Sequence, residues 1–372
     1  MHSLKNATPI SRNSPNSQAN NMKAAYCKYR LNFVFRAKTS REEMTYKDTY
    51  FIKIWDEEEP DVYGIGECAL FKGLSSDDVP DYEDRLRDVC RNISTITPTD
   101  LRDFSSIKFG VETAFSDLCN GAIRTPFPSL WTEGKKSVEI NGLIWMGDFQ
   151  EMVSRINEKL DVGYHCLKLK IGGIDFDQEL ELIKMIRSKF GADVLDIRLD
   201  ANGAFTPDNA LDRLESLYKY KIHSIEQPIK PKQWEEMERI VNLSPISIAL
   251  DEELIGVNDK ELKRQLLTAI KPDFIILKPA LCGGFTGTKE WIAMASDYTD
   301  TKWWITSALE SNIGLNAIAQ WTAKTDTILP QGLGTGMLYD NNIPCPIFQK
   351  RDRLMYNPEK QWQIPTFDWV IP

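Results

Sequence analysis

Val194-Leu195-Asp196-Ile197-Arg198-Leu199-Asp200 is a largely apolar run that closes on an acid, and the pattern recurs. Ile222-His223-Ser224-Ile225-Glu226 and Ile246-Ser247-Ile248-Ala249-Leu250-Asp251 end the same way, at spacings of 226 − 200 = 26 and 251 − 226 = 25 residues. Lys168-Leu169-Lys170 ends 200 − 170 = 30 residues before the first acid, and Ile275-Ile276-Leu277-Lys278 ends 278 − 251 = 27 after the last. One strand, one helix and two short loops fill such a period. Five successive strands ending in Lys, Asp, Glu, Asp and Lys gather their charges at one mouth of a parallel barrel, the face where such barrels do their chemistry. An open doubly wound sheet would spread them along an edge.

The flanking sequence extends the pattern. Residues 139–144 read as a first barrel strand, 303–306 as a seventh and 327–329 as a short eighth. Helical stripes fall between: Leu180, Ile183 and Ile186; Leu211, Leu214 and Leu217; Trp234, Met237 and Val241; Leu262 and Leu266; Trp291 and Ala295; Leu315, Ile318 and Ala319. Thr206-Pro207 reads as an N-cap and first turn. Upstream, residues 29–35, 49–54 and 63–68 read as an antiparallel meander. The first two are separated by the charged stretch 38–48. Ile107, Val111, Phe115 and Leu118 mark a buried helix, completing an α+β module. The expected division is a disordered polar extension (1–22, with Met22 an alternative start), an α+β capping domain (23–132), a barrel (133–342) and a C-terminal segment (343–372) packing back on the first domain. The segment 71–78 reads as a loop.

Bulk properties exclude several classes. The chain has 372 residues and a formal net charge of −9, which disfavours a nucleic-acid partner. Its seven cysteines are odd in number and scattered, with no Cys-x-x-Cys pair, as expected of reduced thiols in the cytoplasm. Three histidines leave little for a His-based metal site. No apolar run approaches the roughly 18 residues of a membrane span, so a soluble protein is expected. Self-association stays open.

Three carboxylates at one mouth repel one another unless a cation neutralises them. No arginine recurs at the matching strand ends, so a hard divalent cation with oxygen ligands, Mg²⁺, is the economical answer. The alternative is that each acid caps the following helix; regular spacing and bracketing lysines argue against it for all three. Lys168 and Lys170 alternate with Leu169 and point into the barrel together, where two ammonium groups depress each other's pKa and free a base. Lys278 lies across the barrel. A substrate carboxylate bound to such a cation has an acidified α-hydrogen, because the enediolate is stabilised.

These residues resemble the enolase superfamily in its muconate-lactonizing subgroup, and within it the o-succinylbenzoate synthase family. A lysine base with Mg²⁺ is the superfamily's known pattern. The matching pieces are Lys168-Leu169-Lys170, Asp200-Ala201-Asn202-Gly203, Glu226-Gln227-Pro228, Asp251-Glu252 and Leu277-Lys278-Pro279. The resemblance implies a capping domain on a modified TIM barrel, (β/α)7β, with the loop 71–78 and the stretch 38–48 over the barrel mouth and with Asp200, Glu226 and Asp251 as Mg²⁺ ligands. Lys170 would be the acid–base, Lys168 its neighbour and Lys278 the opposite lysine, with Asn202, Gln227 and Glu252 as support behind the ligands. It implies a lyase acting on a small carboxylate, dehydrating a cyclohexadiene precursor to o-succinylbenzoate in menaquinone biosynthesis. Ser307 and Glu310 after the seventh strand, and Gly332 and Leu333 after the eighth, would bind substrate. Dipeptide epimerases carry an Asp-x-Asp pair in that last loop; here the first acid downstream is Asp340. An N-succinylamino-acid racemase, a dipeptide epimerase and a non-catalytic binding barrel are the other readings.

Overall fold

The computed structural model describes residues 21–38, 43–97 and 99–372. The expected N-terminal extension, apart from residues 21 and 22, and part of the stretch 38–48 lie outside these residues. Three antiparallel strands, β1 (Met22–Lys38), β2 (Glu43–Asp56) and β3 (Tyr63–Cys68), form a first sheet in that order. The first two are longer than their apolar cores predicted. Cross-strand pairing carries them outward through the charged ends, as in Arg30 opposite Asp48 with a bond of 2.7 Å. Two helices follow, α1 (Tyr82–Arg91), which the sequence did not betray, and α2 (Ser105–Cys119). Glycines let α2 settle onto β3: a Cβ on Gly66 would lie 1.9 Å from the Gly110 carbonyl oxygen. The far side of α2 packs against the barrel, Phe109 against Phe285 at 5.2 Å.

The second body is the barrel. After β4 (Val138–Glu139) and β5 (Gly142–Ile144), strands and helices alternate: α3 (Phe149–Val162), β6 (Cys166–Lys170), α4 (Phe176–Lys189), β7 (Asp196–Asp200), α5 (Ala210–Tyr218), β8 (Ser224–Glu226), α6 (Trp234–Leu243), β9 (Ile248–Leu250), α7 (Lys260–Ile270), β10 (Phe274–Leu277), α8 (Gly284–Tyr298), β11 (Lys302–Ile305) and α9 (Asn312–Thr322). Strands β5 to β11 form one parallel sheet in sequence order. Because helices cover the outside, a strand such as Phe274-Ile275-Ile276-Leu277 is buried throughout. Acidic or hydroxyl caps start several of the helices: Asp148 with Glu151 in a capping box on α3, Asp259 on α7 and Ser311 on α9.

Closure differs from expectation. Residues 327–329 are not a strand; Ile328 is 91% exposed. The eighth strand is Gln331-Gly332, whose backbone bridges Ile140 on one side and Thr306 on the other. Gln331 N–H donates to Glu139 O at 2.8 Å and Gly332 N–H to Ile305 O at 2.8 Å. The expected first strand is likewise interrupted at residues 140–141, where Ile140 N–H turns to Asp352 O. Thr206 does not cap α5; it exchanges bonds with Asn209, and the helix begins at Ala210. In the tail, β12 (Ile347–Lys350) and β13 (Arg353–Tyr356) form a hairpin that joins β4, and Val370 pairs with Tyr26 of the first sheet.

Candidate active site

Parallel register places the charges. Lys170, Asp200 and Glu226 are direct neighbours across β6, β7 and β8, while Asp251 and Lys278 follow the last residues of β9 and β10. All three acids are at most 2% exposed. The Lys168 ammonium bridges Glu226 at 2.7 Å and Asp200 at 3.0 Å. Lys170 donates to Asp200 at 3.1 Å and to Asn202 Oδ1 at 2.8 Å. Lys278 donates to Asp251. The strand-end acids and lysines therefore do meet in one cluster.

Behind them, two polar residues hold the backbone in an unusual course. Asn202 and Gln227 have φ of 44° and 41°, left-handed values that side chains tolerate only when their surroundings impose them. Asn202 links Lys170 to Glu252, donating to Glu252 Oε1 at 3.0 Å. Gln227 is fully buried and accepts from the Asp251 and Glu253 N–H groups, each at 3.2 Å. Its amide donates to Ile229 O at 3.0 Å and Glu253 Oε2 at 3.1 Å.

Electrostatics follow from this packing. Burial opposes the Lys168 charge, yet Asp200, Glu226 and Asp251 outweigh it and raise its pKa. The same contest raises Lys278, with Asp251 as its main partner. At Lys168 and Lys278 the carboxylates thus outweigh any lowering by a neighbouring lysine. Burial pushes Asp200 up, but Lys168, Lys170 and Lys278 hold it below the usual range. Glu226, buried and beside Asp200, is pushed well above that range, and Glu252 is raised by burial and then by Asp251.

As the side chains stand, no three acidic, histidine or cysteine groups among the described residues form a ready metal cage. The donor set nevertheless suits a hard cation. Asp200, Glu226 and Asp251 bring three buried carboxylates to neighbouring strand ends, an all-oxygen donor set. The Lys168 ammonium already stands between two of the carboxylates as a cation does.

Above the cluster lies a cleft lined by Lys168, Lys170, Asp200, Asn202, Glu252 and Lys278. Its walls are apolar: Phe71 and Leu74 from the first domain's loop, Leu143 in β5 and Trp145 just after it, and Ala308 and Leu309. The expected loop 71–78 does reach the mouth. Ser307 lines the cleft, but Glu310 is completely buried behind it and accepts the Ser307 hydroxyl proton. Gly332 and Leu333 do not line it. The Gly332 amide is consumed in closing the barrel and Leu333 is core. Sequence reasoning missed Leu143 and Trp145, whose only signal is that they end the first strand.

Residues 151–352 match the Enolase C-terminal domain-like family. Over 358 residues the chain is 42% identical to an o-succinylbenzoate synthase of Desulfotalea psychrophila, covering 87% of this chain and 96% of that protein. The crystal structure of MenC from Desulfotalea psychrophila has a TM-score of 0.80 and 39% identity, covering 90% of this chain and 100% of that one. A hydrophobic dipeptide epimerase of Enterococcus faecalis is more distant, 27% identical over 202 residues that make up 54% of this chain and 53% of that protein. With the barrel, the strand-end charges and a match across more than half its length in agreement, the chain belongs to the enolase superfamily.

Proposed function

We propose that the chain is a Mg²⁺-dependent o-succinylbenzoate synthase, dehydrating 2-succinyl-6-hydroxy-2,4-cyclohexadiene-1-carboxylate. The observation that carries the reading is 42% identity to a synthase over most of both chains, against 27% to an epimerase. The cleft supports it: apolar walls from Phe71, Leu74, Leu143, Trp145 and Leu309 suit a carbocycle, and the charged lining residues among those described lie on the floor.

Asp200, Glu226 and Asp251 are the residues to hold the cation, which supplies positive charge that acidifies the hydrogen α to the substrate carboxylate. Lys170, oriented by Asn202, takes that proton onto Nζ. The same ammonium then protonates the departing ring hydroxyl; the C–O bond breaks, water leaves and the ring becomes aromatic. Lys278, fixed by Asp251, faces the substrate from the other side as a second positive charge. The apolar walls keep bulk water from the intermediate. The product places the step on the route to menaquinone, in the cytoplasm, a compartment that suits seven unpaired thiols. Among the described residues, no helix is long and apolar enough to cross a membrane. The substrate is a small carboxylate.

The test is direct. Purified protein with Mg²⁺ should dehydrate the precursor, followed by aromatic absorbance, with far higher kcat/KM than for Ala-Glu epimerisation or N-succinyl amino-acid racemisation. A better dipeptide or amino-acid substrate would overturn the reading.

A further inference from the structure

Behind the cleft wall, at the seam between the two domains, lies a buried group of charges that the reaction does not use. Glu67 of β3 is satisfied: it accepts from Thr49 Oγ1 at 2.9 Å and from the Ser311 and Gly314 N–H groups at 3.0 Å each, capping α9. Glu310 is not satisfied. Its Oε2 accepts from Ser307, and its Oε1 has no hydrogen-bond partner. Lys47 of β2 is its counterpart from the capping domain. It is 6% exposed, its ammonium has no hydrogen-bond partner, and the two carboxylates whose charge it feels are Glu67 and Glu310.

The hydroxyl of Ser307 connects this group to the cleft. A hydroxyl has one proton and two acceptor sites. Both acceptor sites of Ser307 are filled, by Leu309 N–H at 3.1 Å and Thr335 Oγ1 at 2.9 Å, so its proton goes to Glu310. Ser307 is thereby saturated within the protein; it fixes the wall, and the wall meets substrate through Thr306, Ala308 and Leu309.

We propose that Glu310, kept charged by Lys47, is a positioning residue that shapes the cleft segment 306–309 through Ser307, so that a capping-domain lysine that lines no part of the cleft governs substrate affinity. A charged acceptor holds the Ser307 proton more strongly than a neutral one. A protonated Glu310 would also have to bury an O–H at the partnerless Oε1. Burial raises the Glu310 carboxyl from 4.5 to about 7 despite Ser307 and Lys47, so the charge is at risk near neutrality. Burial lowers Lys47 against the pull of Glu67 and Glu310. Tyr339, whose hydroxyl donates to Leu309 O at 2.7 Å, is raised well above its usual range by burial and stays protonated.

The proposal rests on the synthase reading for its kinetic assay. Precursor dehydration is measured from pH 5.5 to 8.5 for wild type, Glu310→Gln, Lys47→Met and the double variant. Expected are a KM raised about tenfold in each single variant with kcat within about threefold, and a double variant no worse than either, because both remove one interaction. Wild-type KM should rise as pH falls through about 7; that inflection should vanish in Glu310→Gln and move upward in Lys47→Met. Losses confined to kcat, additive losses in the double variant, or an inflection that survives Glu310→Gln would overturn the proposal. Should Glu310→Gln not fold, the inflection in Lys47→Met decides alone. Wild type inactive on the precursor refutes the synthase reading instead. Amide exchange then tests the proposal independently: both single variants should speed exchange across 306–310 and leave α9 unchanged, and an unchanged segment would overturn it.

Discussion

Replacing Gln227 with Ala should cost on the order of 3 kcal/mol of unfolding free energy and weaken Mg²⁺ binding about 10- to 100-fold. The carboxamide makes four hydrogen bonds in a site with no solvent exposure: from Asp251 N–H and Glu253 N–H, and to Ile229 O and Glu253 Oε2. At about 1 kcal/mol each the bonds sum to about 4 kcal/mol. The vacated space can admit one water, which restores part of that. Alanine relieves none of the strain of a φ of 41°, whereas glycine does. Gln227→Gly should therefore be less damaging than Gln227→Ala by about 1 kcal/mol, although it also removes the Cβ. Urea unfolding followed by circular dichroism measures the first quantity and titration calorimetry with Mg²⁺ the second. A loss below about 1 kcal/mol in Gln227→Ala, with metal affinity unchanged, would refute the view that Gln227 sets the course of the Asp251 backbone.

Replacing Asp200 or Asp251 with Asn, or Glu226 with Gln, should abolish turnover with the circular dichroism spectrum preserved, and EDTA should silence the native enzyme. A full rate after chelation would remove the metal from the mechanism. Lys170→Ala and Lys278→Ala should each lose at least about 10²-fold in kcat, the contribution of a positioned acid–base or electrostatic group; losses under tenfold in both would reject their roles. Glu310 also predicts a stability profile. Its folded pKa of about 7 lies above the ordinary 4.5, so between those values the folded state keeps a proton that the unfolded state has lost. Its contribution is present below pH 4.5 and is lost as pH rises through 7, a shift of 7 − 4.5 = 2.5 units or about 3 kcal/mol. Thermal melts of Glu310→Gln should show a flatter decline over that window, and identical wild-type and variant profiles would contradict the burial argument.

The sequence revealed most where one physical signal acted alone. Strand-end charges at a fixed period exposed the barrel and its chemical face, because a parallel strand is apolar along most of its buried length and a charge at its end marks the barrel mouth. It failed where two strands share a job or a side chain replaces backbone. The eighth strand is two residues long and carries no apolar run, so the flanking Thr327-Ile328-Leu329 attracted the reading instead. Glu310 stood three residues from Ser307 and looked equally suited to substrate, yet α9 begins just after it, at Asn312, and Glu310 faces the domain seam rather than the cleft. The partnership of Lys47 with Glu67 and Glu310 joins positions some 20 to 260 residues apart and leaves no local trace.

The two-residue eighth strand makes the barrel mechanically lopsided. On the metal-site side, β6 and β7 are stitched by five aligned residue pairs, β7 and β8 by three, and β8 to β9 and β9 to β10 by two each. On the other side the wall is joined by single bridges at Ile140 and Thr306, reinforced by the Gln331 side chain accepting from Ile305 N–H at 2.7 Å. Leu143 and Trp145 stand on one flank of that joint and Thr306 to Leu309 on the other. The residues whose spacing chemistry dictates thus stand on strands joined by ladders of two to five pairs, while the joint made of single bridges lies among those that line the apolar wall. A barrel built this way can be refitted to a new molecule by altering its soft side without disturbing the tolerances of the hard one.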